Sequence, residues 1–581
     1  MATVKLTIDN NPVEVEQETT VLEAARSLGI SIPTLCHLRE LNQVGACRMC
    51  IVEVEGARSY PASCTLPVSE GMVVRTATPG VRAARKMILE LILSDHPNEC
   101  LICIRNGHCE LQAAADTLGV REVRFQRMSR RLHPKDDSGS AVIREPQKCI
   151  YCRRCVSVCA GVQGVEAVGP QLRGFSTVIA PPYNLPLAES VCVNCGQCLL
   201  VCPVGAIYER DETASVWAAL ADPAKHVVVQ TAPATRVTLG EAFGMPPGTP
   251  VTGKMVAALR RLGFDRVFDT DFTADLTIVE ESNELLNRMK NGGVLPQITS
   301  CSPGWVKFIE HFYQDLLPHL STSKSPQQMF GALAKTYYAE EAGVDPADIV
   351  VVSVMPCTAK KFEAGRPEMQ SSGHRDVDVV LTTRELVRML KEAGIDLTRL
   401  PDEEYDAPLG ISTGAGAIFG ATGGVMEAAL RTAYEVATGK PLPKVDIKEV
   451  RGLEGIKQAV IDFEGTPVKV LVAHGLRHAR TLMEKLKAGE LSEYHFIEVM
   501  CCPGGCIGGG GQPIGTDSED RRRRIEGIYR VDKNMKLRKS HENPAVIRLY
   551  ADFLGRPLGE KSHRLLHTHY VRRSAHPVLT E

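Results

Sequence analysis

The sequence predicts a multidomain protein of mixed α+β and α/β class, with a small β-rich domain, a cysteine-rich middle part and a large α/β domain. Three observations support this prediction. At 581 residues the chain is too long for a single hydrophobic core. Fifteen of the 20 cysteines lie within the first 202 residues, in closely spaced groups. From about residue 213 onward, apolar runs alternate with amphipathic stretches of helical period, which is typical of parallel strands joined by helices.

Composition and charge exclude several classes of function. The net charge is -2, which gives no reason to expect nucleic acid or an anionic membrane as a partner. No apolar run approaches the roughly 20 residues of a membrane span, and the N-terminus lacks the basic and apolar segments of a secretory signal. We therefore expect a cytoplasmic protein, and in a reducing cytosol clustered cysteines indicate metal ligands rather than disulfides.

The first predicted domain, residues 1–80, combines a small β-rich unit with a metal site. The segments VKLTI and PVEVE indicate strands, and VLEAARSLG indicates a helix. Cys36, Cys47, Cys50 and Cys64 follow with the spacing C-x10-C-x2-C-x13-C. This layout resembles the β-grasp 2Fe–2S ferredoxin domain in the variant found in hydrogenases and respiratory NADH dehydrogenases.

A second site is predicted within residues 81–125. Its candidate ligands are His96, Cys100, Cys103 and Cys109. Four such ligands suffice for zinc or for a 4Fe–4S cluster, and their spacing does not separate the two. The same two families place a histidine-ligated 4Fe–4S cluster at this point, so the resemblance favours the cluster over a zinc knuckle with a surface histidine. His108 is the weaker histidine candidate because it lies inside the turn that ends at the last cysteine.

Two further cysteine runs predict a pair of 4Fe–4S clusters within residues 126–212. Each run has the spacing C-x2-C-x2-C-x3-C, as in bacterial two-cluster ferredoxins, where the fourth cysteine of each run binds the other cluster. One predicted ligand set is Cys149, Cys152, Cys155 and Cys202. The other predicted set is Cys192, Cys195, Cys198 and Cys159. With the first two sites they make four clusters in series, which indicates an electron-transfer chain.

The large domain, residues 213–520, holds the other five cysteines in three loop-like segments. These segments are ITSCSPGW (298–305), VMPCTAKKFE (354–363) and EVMCCPGGCIGGGGQP (498–513). In order and in sequence they resemble the three signature motifs of iron-only (FeFe) hydrogenases. The resemblance covers essentially the whole chain, because the N-terminal cluster domains occur in the same family.

The resemblance implies an H-cluster, a 4Fe–4S cube joined through one cysteine to a two-iron subsite that carries CO, cyanide and an amine-dithiolate. Cys357, Cys502 and Cys506 fall on the positions of cube ligands, with Cys506 as the bridging one. Lys360 matches a lysine that hydrogen-bonds a cyanide. Met355 matches a residue that packs against the two-iron unit.

The first loop departs from the family's pattern. Two adjacent cysteines usually precede its proline, the first delivering protons and the second binding the cube. Here the pair is Cys301 and Ser302, and a hydroxyl is a much poorer iron ligand than a thiolate. Strict register makes Cys301 the proton donor, whereas a local shift would make Cys301 the fourth ligand. Cys501 stands where the family has alanine, either as a spare thiol beside the cluster or as a small buried residue.

A proton route from the cavity to the surface is also implied. Glu281, Glu284 and Arg288 are spaced to share one face of a helix. With Ser321 and Cys301 they match the family's proton pathway position by position. Acidic residues on a helix are more often a solvated face, but the joint match favours a relay. It also favours Cys301 as proton donor, which leaves its role as a ligand unresolved.

The C-terminal segment, residues 521–581, resembles the small-subunit-like end of the family. Its arginine run at 521–524 is predicted to be a charged loop. The histidines at 563, 567 and 569 lack companion cysteines, so a metal site there is not favoured.

The resemblance implies reversible conversion of H2 to two protons and two electrons. The chain contains no G-x-G-x-x-G after a strand, so any flavin or nicotinamide must bind another subunit. The extra N-terminal site favours an electron-bifurcating complex with a flavin- and NAD(P)-binding subunit and a small ferredoxin-like subunit, over a stand-alone enzyme linked to ferredoxin. The alternatives are a non-catalytic electron-transfer subunit, a hydrogen sensor and an iron–sulfur assembly factor, and Ser302 is the feature that favours the last two.

Overall fold

The structure, a computed structural model, describes residues 2–39, 41–125 and 133–575. The predicted start of the two-cluster domain at 126 and the chain end from 576 onward lie outside the described residues. The fold class agrees with the prediction, since small cluster-type domains precede a large α/β domain. Among the described helices, none has the length and apolar character needed to cross a membrane.

The N-terminal domain is a four-stranded sheet with one helix packed against it. Its elements are β1 (Thr3–Ile8), β2 (Asn11–Glu16), α1 (Val21–Ser27), β3 (Glu53–Val54) and β4 (Val73–Arg75). β1 pairs antiparallel with β2 and parallel with β4, which also pairs with β3. The helix begins where the Thr20 hydroxyl accepts the N–H of Glu23 at 3.3 Å. The predicted strands and helix all form.

The middle of the chain consists of short elements that carry the cysteine loops. They are α2 (Pro79–Ser94), α3 (Glu110–Thr117), β5 (Val142–Arg144), α4 (Arg154–Gly161), β6 (Gly169–Gln171), β7 (Val178–Ala180), α5 (Gln197–Val201) and β8 (Ile207–Glu209). Arg153 (φ 61°) and Gly196 (φ 68°) have left-handed backbone immediately before α4 and α5. The chain therefore turns sharply from each cysteine loop into a helix, α4 carrying Cys155 and Cys159 and α5 carrying Cys198, with Cys202 directly after it.

Two four-stranded sheets form the large domain. Their strands are β9 (His226–Thr231), β10 (Arg266–Asp269), β11 (Gln297–Ile298), β12 (Ile349–Met355), β13 (Val379–Thr382), β14 (Ile456–Phe463), β15 (Thr466–His474) and β16 (Phe496–Met500). One sheet has the order β10-β9-β12-β13 and is entirely parallel. The other has the order β11-β16-β15-β14, in which β14 is antiparallel. Valine-rich strands such as β12 are buried on both faces, as parallel strands covered by helices must be.

Helices cover both sheets and extend to the C-terminus. They are α6 (Thr213–Ala221), α7 (Thr252–Leu262), α8 (Thr270–Asn291), α9 (Pro303–Phe312), α10 (Pro326–Ala334), α11 (Tyr337–Ala342), α12 (Ala359–Ala364), α13 (Thr383–Glu392), α14 (Gly414–Ala417), α15 (Gly424–Thr438), α16 (Leu476–Lys487), α17 (Ser518–Asn534), α18 (Pro544–Leu549) and α19 (Glu560–Leu566). α8 is buried along most of its length and packs against α10, α14 and α15. This burial explains why its acidic residues do not form a solvated face.

The arginine run at 521–524 lies inside α17, so the prediction of a charged loop is wrong. A reciprocal capping box at Asp517 starts the helix before the run. Arg524 is fully buried, pairs with Glu241 at 2.6 Å and donates to the carbonyl of Ile507 at 2.8 Å. The helix thus connects the C-terminal segment to the third cysteine loop, and it runs across the predicted domain boundary at 520/521.

Candidate metal centres and proton route

The carboxyl ends of β11, β12 and β16 open onto one buried cavity between the two sheets. Each strand end continues into one of the three cysteine loops, as expected for sites of α/β sheets. The thiol and hydroxyl side chains that line the cavity are Thr270, Cys301, Ser302, Cys357, Cys501, Cys502 and Cys506.

Three of these thiols interact closely and form a sulfur-donor set. Burial, and then the neighbouring thiols of Cys502 and Cys506, raise the pKa of Cys357. Burial, and then Cys502, raise the pKa of Cys506 to about 12. Such thiols stay neutral in an empty apolar cavity, whereas a bound metal ion deprotonates them. Three converging cysteines in an apolar wall therefore fit the cube of an iron–sulfur cofactor.

The rest of the wall is mostly apolar and includes Met355 and Lys360 at the predicted place. The Lys360 ammonium donates to the carbonyl of Cys301 at 3.1 Å and pairs with Glu363 at 2.9 Å. Gln327 donates to the same Glu363 carboxylate at 3.1 Å. Sequence reasoning gave no role to Glu363 or Gln327, although Glu363 follows Lys360 by one turn of α12.

Cys301 lies on the side of the cavity that faces the proton route. Burial, and then the charge of Glu281, raise the pKa of the Cys301 thiol. Its neighbours in the cavity include Lys360 and Cys506. This position makes the thiol accessible to a carboxyl group of the route, as a proton donor requires.

Ser302 and Cys501 are in direct contact with each other. The Ser302 hydroxyl oxygen accepts the backbone N–H of Cys501 at 3.2 Å. The Cys501 thiol interacts with the thiols of Cys195 and Cys502. A Cβ at Gly304 would come within 2.6 Å of the Cys501 sulfur, so glycine is required there. Cys501 therefore lies between the cavity and the neighbouring 4Fe–4S candidate site.

The predicted proton-route residues lie together along α8 and the loop before α10. Ser321 donates to Oε2 of Glu284 at 2.7 Å, and Arg288 pairs with Oε1 of Glu284 at 2.7 Å. Burial, and then the charge of Glu284, raise the pKa of Glu281 to about 8. One carboxylate oxygen of Glu281 has no hydrogen-bond partner within the described part of the chain. Ser321 also hydrogen-bonds Glu281, so the structure joins Glu281 to Arg288 through Ser321 and Glu284, and the charge of Glu281 acts on the Cys301 thiol.

The two ferredoxin-type runs line two separate cavities, in the grouping that the sequence predicts. The first cavity is lined by Cys149, Cys152, Cys155 and Cys202. The second is lined by Cys159, Cys192, Cys195 and Cys198. Each group combines three cysteines of one run with the fourth of the other run. This crossing is the pattern of bacterial two-cluster ferredoxins.

The second of these groups meets the third cysteine loop backbone to backbone. A Cβ at Gly510 would come within 2.3 Å of the Cys195 carbonyl oxygen, and one at Gly509 within 2.1 Å of the Pro356 carbonyl oxygen. The Gln197 side chain donates to the carbonyl of Gly508 at 2.9 Å. Glycine is therefore needed at these positions so that three loops can touch.

Of the two N-terminal sites, the first brings its four predicted ligands together, whereas in the second Cys100 is exposed. Cys36, Cys47, Cys50 and Cys64 are all buried, and their thiols contact one another. Burial lowers the pKa of His96 to about 4, and its Nδ1 atom has no partner among the described residues. A neutral imidazole with an unused nitrogen fits a metal ligand. His108, by contrast, is exposed.

Comparisons with protein families agree with this division of the chain. Residues 225–510 match the iron only hydrogenase large subunit, C-terminal domain, and 518–573 match the iron hydrogenase small subunit. Residues 1–79 match a 2Fe–2S iron–sulfur cluster binding domain, and 85–124 the iron–sulfur binding region of NADH-ubiquinone oxidoreductase-G. Residues 187–208 match a 4Fe–4S binding domain.

Several individual proteins are similar over most of their length. The NADP-reducing hydrogenase subunit HndD of Solidesulfovibrio fructosivorans is 52% identical, over 99% of this chain and 100% of that protein. Iron hydrogenase 1 of Clostridium pasteurianum is 40% identical, over 96% of this chain and 98% of that protein. A solved structure of the FeFe-hydrogenase HydA1 from Chlamydomonas reinhardtii is 45% identical with a TM-score of 0.56, over 63% of this chain and 100% of that chain. Because a full-length relative is 52% identical and the catalytic-domain match contains every cysteine of the cavity, this chain belongs to the iron-only hydrogenase family.

Proposed function

We propose that this chain catalyses the reversible conversion of H2 to two protons and two electrons in the cavity between its two sheets. The observation that carries the proposal is the meeting of two features at that cavity. A set of cysteines suited to an iron–sulfur cofactor lines it, and a buried acid chain runs along α8 from Cys301. An electron-transfer protein needs the first feature, but a proton route is required only where protons are consumed or released.

The cavity residues fit the H-cluster of the family. Cys357, Cys502 and Cys506 would hold the cube, with Cys506 also bound to the two-iron subsite. Lys360 would donate a hydrogen bond to a cyanide, and Met355 would pack against the subsite. When bound, this group supplies the two-electron exchange with H2. The apolar wall excludes water, and Lys360 is the charged side chain among the residues that line the cavity.

The protein's own side chains move the protons. Cys301 exchanges a proton with the reacting centre and with Glu281, whose raised pKa lets it hold a proton at neutral pH. The Ser321 hydroxyl, which donates to Glu284, connects the two carboxyl groups. Arg288 fixes the position of Glu284 through its ion pair.

Electrons leave through one 2Fe–2S and three 4Fe–4S clusters in the N-terminal domains. The cavity of Cys159, Cys192, Cys195 and Cys198 is the innermost, since Cys195 contacts the third loop of the catalytic domain. We infer that a flavin- and NAD(P)-binding subunit and a small ferredoxin-like subunit receive them, with ferredoxin as a further partner. The full-length similarity to a subunit named NADP-reducing hydrogenase supports this inference.

Infrared spectra of the anaerobically purified, matured protein test the proposal. We expect bands of metal-bound CO and cyanide that shift when H2 is added. Their absence from a protein with full maturation and intact N-terminal clusters would contradict hydrogenase activity and favour an electron-transfer or assembly role. NADP reduction by H2 with and without added flavin subunit then tests the partner.

The role of Cys301 can be tested by iron content in protein expressed without the maturation proteins. We predict that Cys301→Ala retains all iron of the cube and its electron paramagnetic resonance signal, because the thiol lies toward Glu281. Cys502→Ala, the positive control, should lose the cube. Loss of the cube in Cys301→Ala would instead identify Cys301 as a ligand. The same measurement on Ser302→Ala and Cys501→Ala identifies which of these touching residues supplies the fourth donor.

A further inference from the structure

The proton route along α8 ends at a group that cannot release protons. Arg288 pairs with Glu284 at 2.7 Å, and an arginine guanidinium keeps its proton up to a pH of about 12. Arg288 therefore stabilises the Glu284 carboxylate but does not carry its proton away. A histidine beyond Glu284 would be suited to take up this proton near neutral pH.

A second set of hydrogen bonds leads from Glu284 toward the C-terminal segment. Thr322 Oγ1 lies 3.4 Å from Oε1 of Glu284 and 2.8 Å from Nδ1 of His567. The backbone N–H of Thr322 also donates to Glu284 at 3.2 Å. The N–H of Thr568 donates to the Thr322 carbonyl at 2.8 Å, and Ser323 and His567 form an antiparallel bridge. Backbone bonds thus hold the imidazole beside the route.

Glu280 binds the other nitrogen of the same imidazole. Nε2 of His567 lies 3.1 Å from Oε2 of Glu280, and both side chains are almost completely buried. Tyr550, Ser562 and the backbone N–H of Leu558 also donate to this carboxylate. Burial opposes its ionisation, but the hydrogen bonds outweigh burial and lower the pKa of Glu280. A carboxylate held ionised in this way stabilises a positive charge on the ring.

We propose that His567 accepts the proton that leaves Glu284. Glu284 passes its proton to the Thr322 oxygen while the Thr322 hydroxyl passes its own proton to Nδ1 of His567. One O–H bond breaks for each bond that forms, and the resulting imidazolium pairs with the Glu280 carboxylate. The inference rests on the proposed proton route and adds to it a residue from outside α8.

The groups around the ring are compatible with this role. Glu280 and Glu284 approach from α8, and Lys324, in the loop beside the ring, is neutralised by Asp376 at 2.8 Å. On the outer side the exposed His563 stacks on His567, with ring centroids 4.8 Å apart. The buried imidazole is therefore in contact with an exposed side chain on that side.

Turnover in the matured holoenzyme gives the first test. His567→Gln retains hydrogen-bonding groups but cannot take up a proton, so we expect a loss of about 100-fold in H2 turnover at neutral pH, the lower end of general acid–base effects. The solvent isotope effect should increase because proton transfer becomes limiting. His563→Gln on the same helix is the matched control and should keep wild-type turnover. Equal turnover in His567→Gln and wild type, or an equal loss in His563→Gln, would overturn the proposal.

The second test does not depend on hydrogenase activity. In protein that carries only its iron–sulfur clusters, infrared difference spectra during a pH titration report the Glu284 carboxyl, identified by its disappearance in Glu284→Gln. His567→Gln and Thr322→Val should both alter this titration, because each interrupts the hydrogen bonds that connect the Glu284 carboxyl group to the imidazole. Thr322→Ser should restore the wild-type value, and equal iron content shows that each variant is folded.

An unchanged Glu284 titration in both His567→Gln and Thr322→Val would refute the role of His567. This result is distinguishable from failure of the proposed function. If the proposed function failed, CO and cyanide bands would be absent from the matured wild-type protein, whereas the titration of the Glu284 carboxyl group would still differ between His567→Gln and wild type.

Discussion

Glu281→Gln is expected to lower H2 turnover by about 10²–10⁴-fold, the usual contribution of a positioned acid–base group. Glu281 is completely buried between Cys301 and the Ser321–Glu284 pair. Glutamine keeps the volume of the side chain but cannot exchange a proton with the thiol. The rate should therefore fall although the cavity and the clusters keep their structure.

The pH dependence of wild-type H2 production follows from the same residue. Burial, followed by the charge of Glu284, raises the pKa of Glu281 to about 8. The carboxyl group is protonated below that value and loses its proton above it, so H2 production should decline as the pH rises through about 8. This decline should disappear in Glu281→Gln, whose residual rate has no such group.

Two measurements separate a blocked proton route from general damage. Reduction of the clusters by dithionite, followed by electron paramagnetic resonance, should be the same in Glu281→Gln and wild type. Glu281→Asp, which keeps a shortened carboxyl group, should retain intermediate turnover. Wild-type turnover in Glu281→Gln would show that protons take another path.

Lys324→Met is expected to destabilise the catalytic domain by about 3–5 kcal/mol, the cost of breaking a buried ion pair by removing one partner. The Lys324 ammonium lies 2.8 Å from the Asp376 carboxylate, and neither side chain is exposed. The backbone N–H of Lys324 also donates to the Leu566 carbonyl at 2.8 Å, so the residue connects the C-terminal segment to the loop of Ser321. Without the ammonium, Asp376 remains as an uncompensated buried charge.

Urea unfolding followed by tryptophan fluorescence measures this loss. The sequence has two tryptophans, Trp217 and Trp305, and both lie in the large domain. Lys335→Met is a suitable control, because its partner Asp378 is 27% exposed and water can solvate the charge that remains. The double variant Lys324→Met with Asp376→Leu should recover much of the lost stability. An equal effect of both single substitutions would contradict the argument from burial.

Ligand spacing made the metal sites predictable from the sequence, because clusters constrain cysteines that are close along the chain. The exchange of Cys159 and Cys202 between the two groups followed from the ferredoxin pattern, and the structure places them accordingly. The three catalytic loops were also predictable, since their sequences resemble the signature motifs of the family, and the strands β12 and β16 end at Met355 and Met500, directly before two of them.

Features that depend on distant contacts could not be found in this way. His567 and Glu280 are 287 residues apart in the chain, and no local pattern relates them. The arginine run was misassigned because its charge suggested solvent, whereas Glu241 neutralises Arg524 inside the protein. The Ser302–Cys501 contact joins two departures from the family's pattern that appear unrelated in the sequence.

The contact of Gly510 with the carbonyl of Cys195 has a consequence for the speed of electron flow. Electron tunnelling slows steeply with distance, and side chains normally set the spacing between two redox centres. Here the backbones of Gly510 and Cys195 are in contact with no side chain between them, so the loop of the catalytic cavity lies directly against the innermost 4Fe–4S site. Movement of residues 1–125 relative to the rest of the chain would then lengthen only the outer transfer steps, and the innermost step would keep its distance while a partner docks.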